Sequence, residues 1–388
     1  MRNVIVVGGG PAGSTCAARL AKRGLDVTLL ERTAFPRTKV CGEYLNAAAQ
    51  DDLNELGVGA QIAAECNRIE GIRLHVDDIR LELPFAVPAW ALARSRLDDI
   101  LLRHAIRAGA RTITARVERI ERTGQGVRIG FTDASGVERT LEADIVVGAD
   151  GLGSIVARKC GLSRSRKRGR FAVGGHYSGF GALGGFIEMY VTTKAYFAIN
   201  PLSGELANVM IVVDESDLHR WTGAVDEHMK QTALKLASGK RGIDSVRRIG
   251  KRVAIGPLSH EARAAAGAGV YLVGDAAGFV DPFTGQGVFL ALRSAKLAAD
   301  AIEAELAEKE SAKAVRARYA QDHANVFGAR ARVAALVSFL IRTPWLTKRA
   351  ARNLERSTEL RSSIMAAIAG QQTAAEPLNS AMLLRLVA

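Results

Sequence analysis

The chain has 388 residues, a formal net charge of +13, and a composition that is 48% hydrophobic and 24% charged. That length exceeds one compact core and points to two domains of an ordinary globular protein. No uninterrupted run of about 18 apolar residues occurs, so no spanning helix is expected; the four cysteines lack a Cys-x-x-Cys pair, which excludes a zinc site of that type and points to reduced thiols.

Residues 3–7 are a β-branched apolar run, as in a buried parallel strand. Gly8-Gly9-Gly10-Pro11-Ala12-Gly13 follows in G-x-G-x-x-G spacing. Gly8 permits a tight turn, Gly10 lets a pyrophosphate approach the backbone, and Gly13 lets the next helix pack close to the strand. Residues 14–23 read as that helix, its free N–H groups facing phosphates. Residues 25–30 form a second strand, with Glu31 at its end. A carboxylate there accepts from both hydroxyls of an adenosine ribose and repels a 2′-phosphate, which favours FAD or NAD over NADP at this site.

Residues 72–76 and 79–83 alternate as strands of a second sheet, 94–109 read as a helix, and 127–131 with 138–141 as a hairpin. Residues 143–147 are another buried strand, ending in Gly148-Ala149-Asp150-Gly151. Residues 185–191, 195–199 and 208–213 read as an antiparallel sheet, with a helix over 225–238. Residues 269–273 form a further buried strand, ending in Gly274-Asp275-Ala276-Ala277-Gly278. An acid just past a strand's carboxyl end lies where ligands bind in open α/β sheets; taken singly, Asp150 and Asp275 also read as helix N-caps or turn residues. Asp281-Pro282-Phe283-Thr284-Gly285-Gln286-Gly287 then precedes a long alanine-rich helix to about residue 306. Its bare backbone N–H groups and helix N-terminus can face an electron-rich ring. No internal repeat or low-complexity linker interrupts this order.

At these residues the chain resembles the FAD-dependent oxidoreductases that include aromatic hydroxylases, flavin halogenases and geranylgeranyl reductases. The resemblance spans about residues 1–310. It implies an α/β fold: a Rossmann-like FAD-binding domain, an inserted antiparallel-sheet substrate domain that roofs the flavin, and C-terminal helices. Residues 1–165 would form the first part of the FAD domain, with an excursion into the second sheet at 69–88. Residues 166–266 would form the substrate domain, 267–310 the return, and 311–388 a helical region.

Arg37-Thr38-Lys39-Val40-Cys41-Gly42-Glu43 is similar to the Lys-x-Cys-Gly-Glu stretch of the geranylgeranyl reductase branch, which lies near the flavin. Gly278 stands where aromatic hydroxylases carry His, and Asp281 to Gly287 resembles the reductases' Asp-Pro-x-Thr-Gly-Glu-Gly, with Gln286 replacing Glu. Arg94 matches a cofactor-contacting arginine. The resemblance therefore implies FAD contacts at Gly8, Gly10, Pro11, Ala12, Gly13, Glu31, Arg32, Lys39, Cys41, Gly42, Arg94, Val117, Asp150, Gly151, Gly274, Asp275, Pro282, Gly285, Gln286 and Gly287. One departure stands out. Reductases show Tyr-x-Trp-x-Phe-Pro, whereas this chain reads Tyr196-Phe197-Ala198-Ile199-Asn200-Pro201. The Trp-x-Trp-x-Ile-Pro element of halogenases is also missing, and Trp90, Trp221 and Trp345 read as separate packing residues.

In this group reduced nicotinamide, NAD(P)H, loads the flavin, and the protein positions the substrate. The expected reaction is reduction of an apolar small molecule such as a prenyl chain, quinone or polyketide. The alternative is oxygen-dependent hydroxylation of an aromatic or polyketide ring; a flavin carrier without turnover is a third reading. His176 and Tyr196 are the candidate proton donors, and Cys41 is a candidate because of its neighbours; a lone His or Cys is otherwise a packing residue.

The tail from 311 to 388 carries twelve Lys and Arg against four acids, a net +8. Basic patches attract nucleic acid or anionic membrane, but no nucleic-acid motif with interleaved aromatics occurs. The apolar run 333–341, followed by basic sequence, fits a membrane surface, a cover over the substrate pocket, a neighbouring subunit, or a solvated face on a packed helix. With the first strand at the N-terminus leaving no room for a leader, a cytoplasmic protein with a peripheral membrane contact is the expected setting.

Overall fold

The computed structural model describes residues 2–124, 126–164, 169–180, 183–192, 195–219, 224–229, 231, 246–258, 260–279, 281–369 and 385–387. Residues 165–168, which include Arg166, Lys167 and Arg168, lie outside them, as do Trp221 and most of the expected helix after residue 229.

Strand β1 (Asn3–Val7) leads through the glycine turn into α1 (Pro11–Lys22) and β2 (Asp26–Glu31). The helix starts at Pro11, earlier than the expected Ser14, because proline at the first helical position brings a preset φ and no N–H to satisfy. The chain then forms β3 (Tyr44–Leu45), α2 (Ala47–Leu56), α3 (Gly59–Glu65), β4 (Asn67–Val76) and β5 (Ile79–Ala91). It returns through α4 (Arg94–Arg107) to β6 (Arg111–Arg122), β7 (Val127–Asp133), β8 (Glu138–Ala143), β9 (Ile145–Gly148) and α5 (Ile155–Lys159). The first sheet runs β15-β16-β9-β1-β2-β6-β7-β8, with β15 (Ala266–Gly267) and β16 (Val270–Leu272) arriving late in the chain. Its centre, β16 to β6, is parallel. The chain moves to β2 on one side of β1 and later places β9 on the other. The crevice at the carboxyl ends of β1 and β9 is therefore a topological switch point, where open α/β sheets bind ligands.

The second sheet runs β14-β10-β13-β12-β11-β4-β5-β3, from β10 (Arg170–Ser178), β11 (Phe186–Val191), β12 (Ala195–Pro201), β13 (Ala207–Asp214) and β14 (Arg247–Ile255). It is antiparallel except where β11 lies parallel to β4, Phe186 opposite Gly71. No hairpin ties these two strands, because four strands of the first sheet lie between them in sequence, so their direction is free. Alternation along β10, β12 and β13 sorts side chains cleanly. Ala172, Tyr196, Ala198, Met210 and Val212 face one way and line a cavity. Val173, Phe197, Ile199, Val209 and Ile211 face the other and form a separate core with Val225 and Met229.

Four long helices close the chain: α6 (Gly287–Leu306), α7 (Ala312–Ile341), α8 (Pro344–Arg356) and α9 (Thr358–Ala369). Helix α7 buries Val315, Tyr319 and Phe327 in the core of the first sheet, and Leu340 and Ile341 in that of the second. The Tyr319 hydroxyl donates to the Leu272 carbonyl at 2.6 Å. Helices α8 and α9 lay Leu346, Ala350, Leu354, Leu360 and Met365 on the second sheet; each fully buried Leu or Met contributes about 1.5–3 kcal/mol. Helix α7 has the length and composition of a membrane span, with a mean hydropathy of 1.4 over a window that carries Arg330 and Arg332, but it packs on both sheets and is the kind of helix that a protein core also uses. One expectation changes here. Trp345 is not a packing residue: it is 66% exposed at the start of α8.

Candidate active site

A cavity of about 770 Å³ runs from the switch point of the first sheet to the inner face of the second. Two of its glycines are fixed by close approach. Gly8 has φ +104°, and a Cβ there would stand 2.5 Å from the Ala149 carbonyl oxygen; a Cβ on Gly13 would stand 1.8 Å from the Gly8 carbonyl oxygen. Gly13 thus lets α1 seat on β1, and it lies behind the wall, not in it. Gly42 and Gly287 line the cavity with no protein atom within 4 Å of an added Cβ, and Gly151 has only Lys39 Nζ, at 3.9 Å.

At the ribose end Glu31 Oε2 accepts from Gly9 N at 2.7 Å and Oε1 from Thr33 N at 3.0 Å, which orients the carboxylate and leaves acceptor capacity on each oxygen. Arg32 and Val117 also line this end. Arg37 bridges Glu31 and Asp98, with Nη2 at 3.7 and 3.5 Å. Arg94 makes a two-pronged bond to the fully buried Asp98, at 2.8 and 2.9 Å. Burial, and then the charges of Arg37 and Arg94, hold the Lys39 ammonium below its usual pKa; burial pushes Asp275 up against the pull of Lys39 and Arg94. These grouped cations are suited to a pyrophosphate.

Asp150 lines the cavity, yet its contacts are those of a helix cap: Oδ1 accepts from Ser154 Oγ at 2.6 Å and Oδ2 from Ile155 N at 2.5 Å. Asp275, Gly274, Pro11, Ala12, Gly10, Pro282 and Gly285 share the wall. Gln286 does not. Its Nε2 donates to the Ala367 carbonyl at 3.0 Å, pinning α9 over the site. Tyr44 Oη and Thr284 Oγ1, both in the wall, are buried without a partner among the described residues. Open glycines, grouped cations and orphaned hydroxyls fit a bound FAD.

His176 is displaced from the expected role. It is not in the cavity wall; its Nε2 contacts Glu43 Oε2 at 2.7 Å. The bond to Glu43 raises its pKa, against the effect of burial. Glu43, absent from the expected site, is the centre of the arrangement. It is 3% exposed, has φ +56°, and takes Arg94 N on Oε1 and both His176 and Asn208 on Oε2. Asn200 Nδ2 binds the Gly42 and Glu43 carbonyls, and Asn208 Nδ2 also binds the Cys41 carbonyl. A polar row across β10, β13 and β12 therefore clamps the 41–43 loop to the second sheet. Asn200 and Asn208 share the strand parity of the apolar wall, which is the signal that sequence reading missed. Cys41 lines the cavity, its sulfur accepting from Glu43 N at 3.3 Å.

The opposite wall is apolar: Ile72, Ile187, Met189, Met210, Val212 and Ile255 are joined by Ile368 from α9. Within it Tyr196 donates from Oη to Asp281 Oδ1 at 2.8 Å.

A menaquinone reductase of Mycobacterium tuberculosis is 29% identical over 327 residues, covering 78% of this chain and 76% of that protein. A 1H-pyrrole-2-carbonyl-(peptidyl-carrier protein) brominase of Pseudoalteromonas luteoviolacea is 26% identical over 314 residues, 78% of this chain and 77% of that one. A flavoprotein/dehydrogenase structure from Cytophaga hutchinsonii superposes with a TM-score of 0.82 at 21% identity, covering 95% of this chain and 92% of the other, which shows a common fold. The FAD binding domain model matches residues 1–370, so the chain belongs to that family and is an FAD-dependent oxidoreductase.

Proposed function

We propose that this oxidoreductase takes reducing equivalents from NAD(P)H and reduces an apolar, unsaturated small molecule, a prenyl or quinone compound. The observation that carries this reading is the apolar wall formed by Ile72, Ile187, Met189, Met210, Val212 and Ile368, opposite the glycine-lined half of the cavity. Such a wall excludes water and favours a ligand without charge where it reacts. FAD supplies the two-electron chemistry. Lys39, Arg37 and Arg94 would hold its pyrophosphate, Glu31 its ribose, and the clamped 41–43 loop one face of the ring.

The test is anaerobic. Protein with bound FAD is reduced by NADH or NADPH and mixed with menadione or geranylgeranyl diphosphate while flavin absorbance is followed. Return of the oxidised spectrum with saturated or hydroquinone product supports the reading. Turnover only when oxygen is admitted, with a hydroxylated aromatic product, replaces it with the monooxygenase.

A further inference from the structure

We propose that Tyr196 is the proton donor of this reaction and that Asp281 reloads it from a second cavity. The inference rests on the reductase reading above. Tyr196 is 4% exposed and lies on the cavity face of β12, its ring edge-on to Phe283 at 5.0 Å between centroids. Asp281 has two sides. Its Oδ1 accepts from Tyr196, and its Oδ2 accepts from Arg170 Nη2 at 2.5 Å and Ser338 Oγ at 3.3 Å. Arg170, Ser338 and Asp281 themselves line a separate cavity of about 270 Å³ between the start of β10 and α7, which Arg342 also lines. Leu258 and Phe279 belong to both cavities, so the two are neighbours through one layer of side chains. A polar space of that size holds several waters at roughly 30 Å³ each.

Two rivals are weaker. His176 lies behind Glu43, outside the wall. Tyr44 lines the cavity, but its Oη is buried and has no partner among the described residues, so nothing there would restore a proton it gave away. The acceptor gains a hydride from the reduced cofactor and a proton from Tyr196 Oη. The Asp281 carboxylate, until then an acceptor of these hydrogen bonds, takes a proton from water in the second cavity and passes it to the phenolate left behind. A phenolate formed beside the half-buried Asp281 carboxylate adds a second negative charge that the single Arg170 guanidinium does not neutralise, and this favours the uptake.

Two measurements test the route. In the first, reduced protein is mixed anaerobically with menadione in H₂O and in D₂O. Tyr196→Phe, which keeps the ring packing, should slow acceptor reduction at least tenfold, at the lower edge of the usual range for a general acid. It should also change the solvent isotope effect and leave reduction by NAD(P)H within twofold. Ala335→Trp, which fills the second cavity from the exposed face of α7, should slow only the acceptor step. An unchanged acceptor step in Tyr196→Phe overturns the proposal while the reductase reading stands. The second measurement needs no acceptor. In ¹³Cζ-tyrosine-labelled protein the Tyr196 signal, assigned by its loss in Tyr196→Phe, should carry a titration step that Asp281→Asn removes. A signal indifferent to Asp281→Asn breaks the relay, even if menadione and geranylgeranyl diphosphate both fail as acceptors and the function itself has to be revised.

Discussion

Replacing Glu43 by glutamine tests the clamp that holds the cavity loop. The carboxylate accepts Arg94 N at 2.7 Å, His176 Nε2 at 2.7 Å and Asn208 Nδ2 at 2.9 Å, and is 3% exposed. Glutamine offers one oxygen and one NH₂. Whichever way the amide turns, a buried donor on one side meets another donor. Hydrogen bonds to a charged group contribute about 1.5–3 kcal/mol each, and an orphaned buried donor costs about 1–3 kcal/mol. The expected loss is about 2–3 kcal/mol. Glu43 also sits at φ +56°, and a non-glycine residue there persists only while its surroundings over-determine it. The loop should therefore relax and FAD affinity fall about tenfold or more, tenfold being 1.4 kcal/mol. The effect has a pH signature. The bond to Glu43 raises the folded pKa of His176, so its stabilisation is complete below the unfolded value of about 6.5 and is lost as pH rises through the higher folded value. Urea unfolding at fixed, saturating FAD should show wild-type protein losing this increment across and above neutral pH, with the slope much reduced in Glu43→Gln. A variant as stable as wild type, with the same slope, would refute the clamp.

Gly8→Ala places a Cβ 2.5 Å from the Ala149 carbonyl oxygen at φ +104°, so purified protein should keep less than about a tenth of its flavin, read by absorbance after desalting; normal flavin content contradicts the turn argument. Ala198→Trp fills part of the apolar wall and should raise KM for an apolar acceptor at least tenfold while reduction by NAD(P)H stays within twofold; equal effects on both steps would place the acceptor elsewhere. Tyr319→Phe removes the bond to the Leu272 carbonyl and should lower unfolding free energy by about 1 kcal/mol in urea without changing turnover; an unchanged midpoint would show that α7 is held by packing alone.

The first sheet was readable because its constraints are local. Residues 4–7, 145–147 and 270–272 are apolar runs each followed within two residues by glycine, and one parallel-sheet rule covers all three. Glu43 shows where local reading stops. Its partners Arg94, His176 and Asn208 lie 51, 133 and 165 residues away, so only the topology of both sheets brings them together. His176 stood out as a candidate proton donor near the start of the expected substrate domain, and the structure gives it to Glu43 and not to the cavity. Asn200 and Asn208 left a weaker mark, as polar residues on the parity that otherwise carries Tyr196, Ala198, Met210 and Val212. Ile368 left none: it reaches the wall because α9 is carried there by α7 and α8.

This division follows from how the cavity is made. Its cofactor half is built from backbone, and a backbone that must turn at φ +104° or admit a helix within van der Waals contact demands glycine at fixed positions. Its apolar half is built from side chains between Ile72 and Ile368, where any residue of similar bulk and polarity would serve. A menaquinone reductase and a pyrrolyl brominase can therefore match this chain about equally well, at 29% and 26% identity, since both matches extend over most of the chain and the frame is common to all three. What separates one reaction from another has to lie in the few protic groups set into the apolar wall. Among the described residues those are Tyr196 with Asp281 behind it, and Tyr44 and Thr284 without partners, so the proposed distinction among reactions on this frame is whether a proton can be delivered to an acceptor and then replaced.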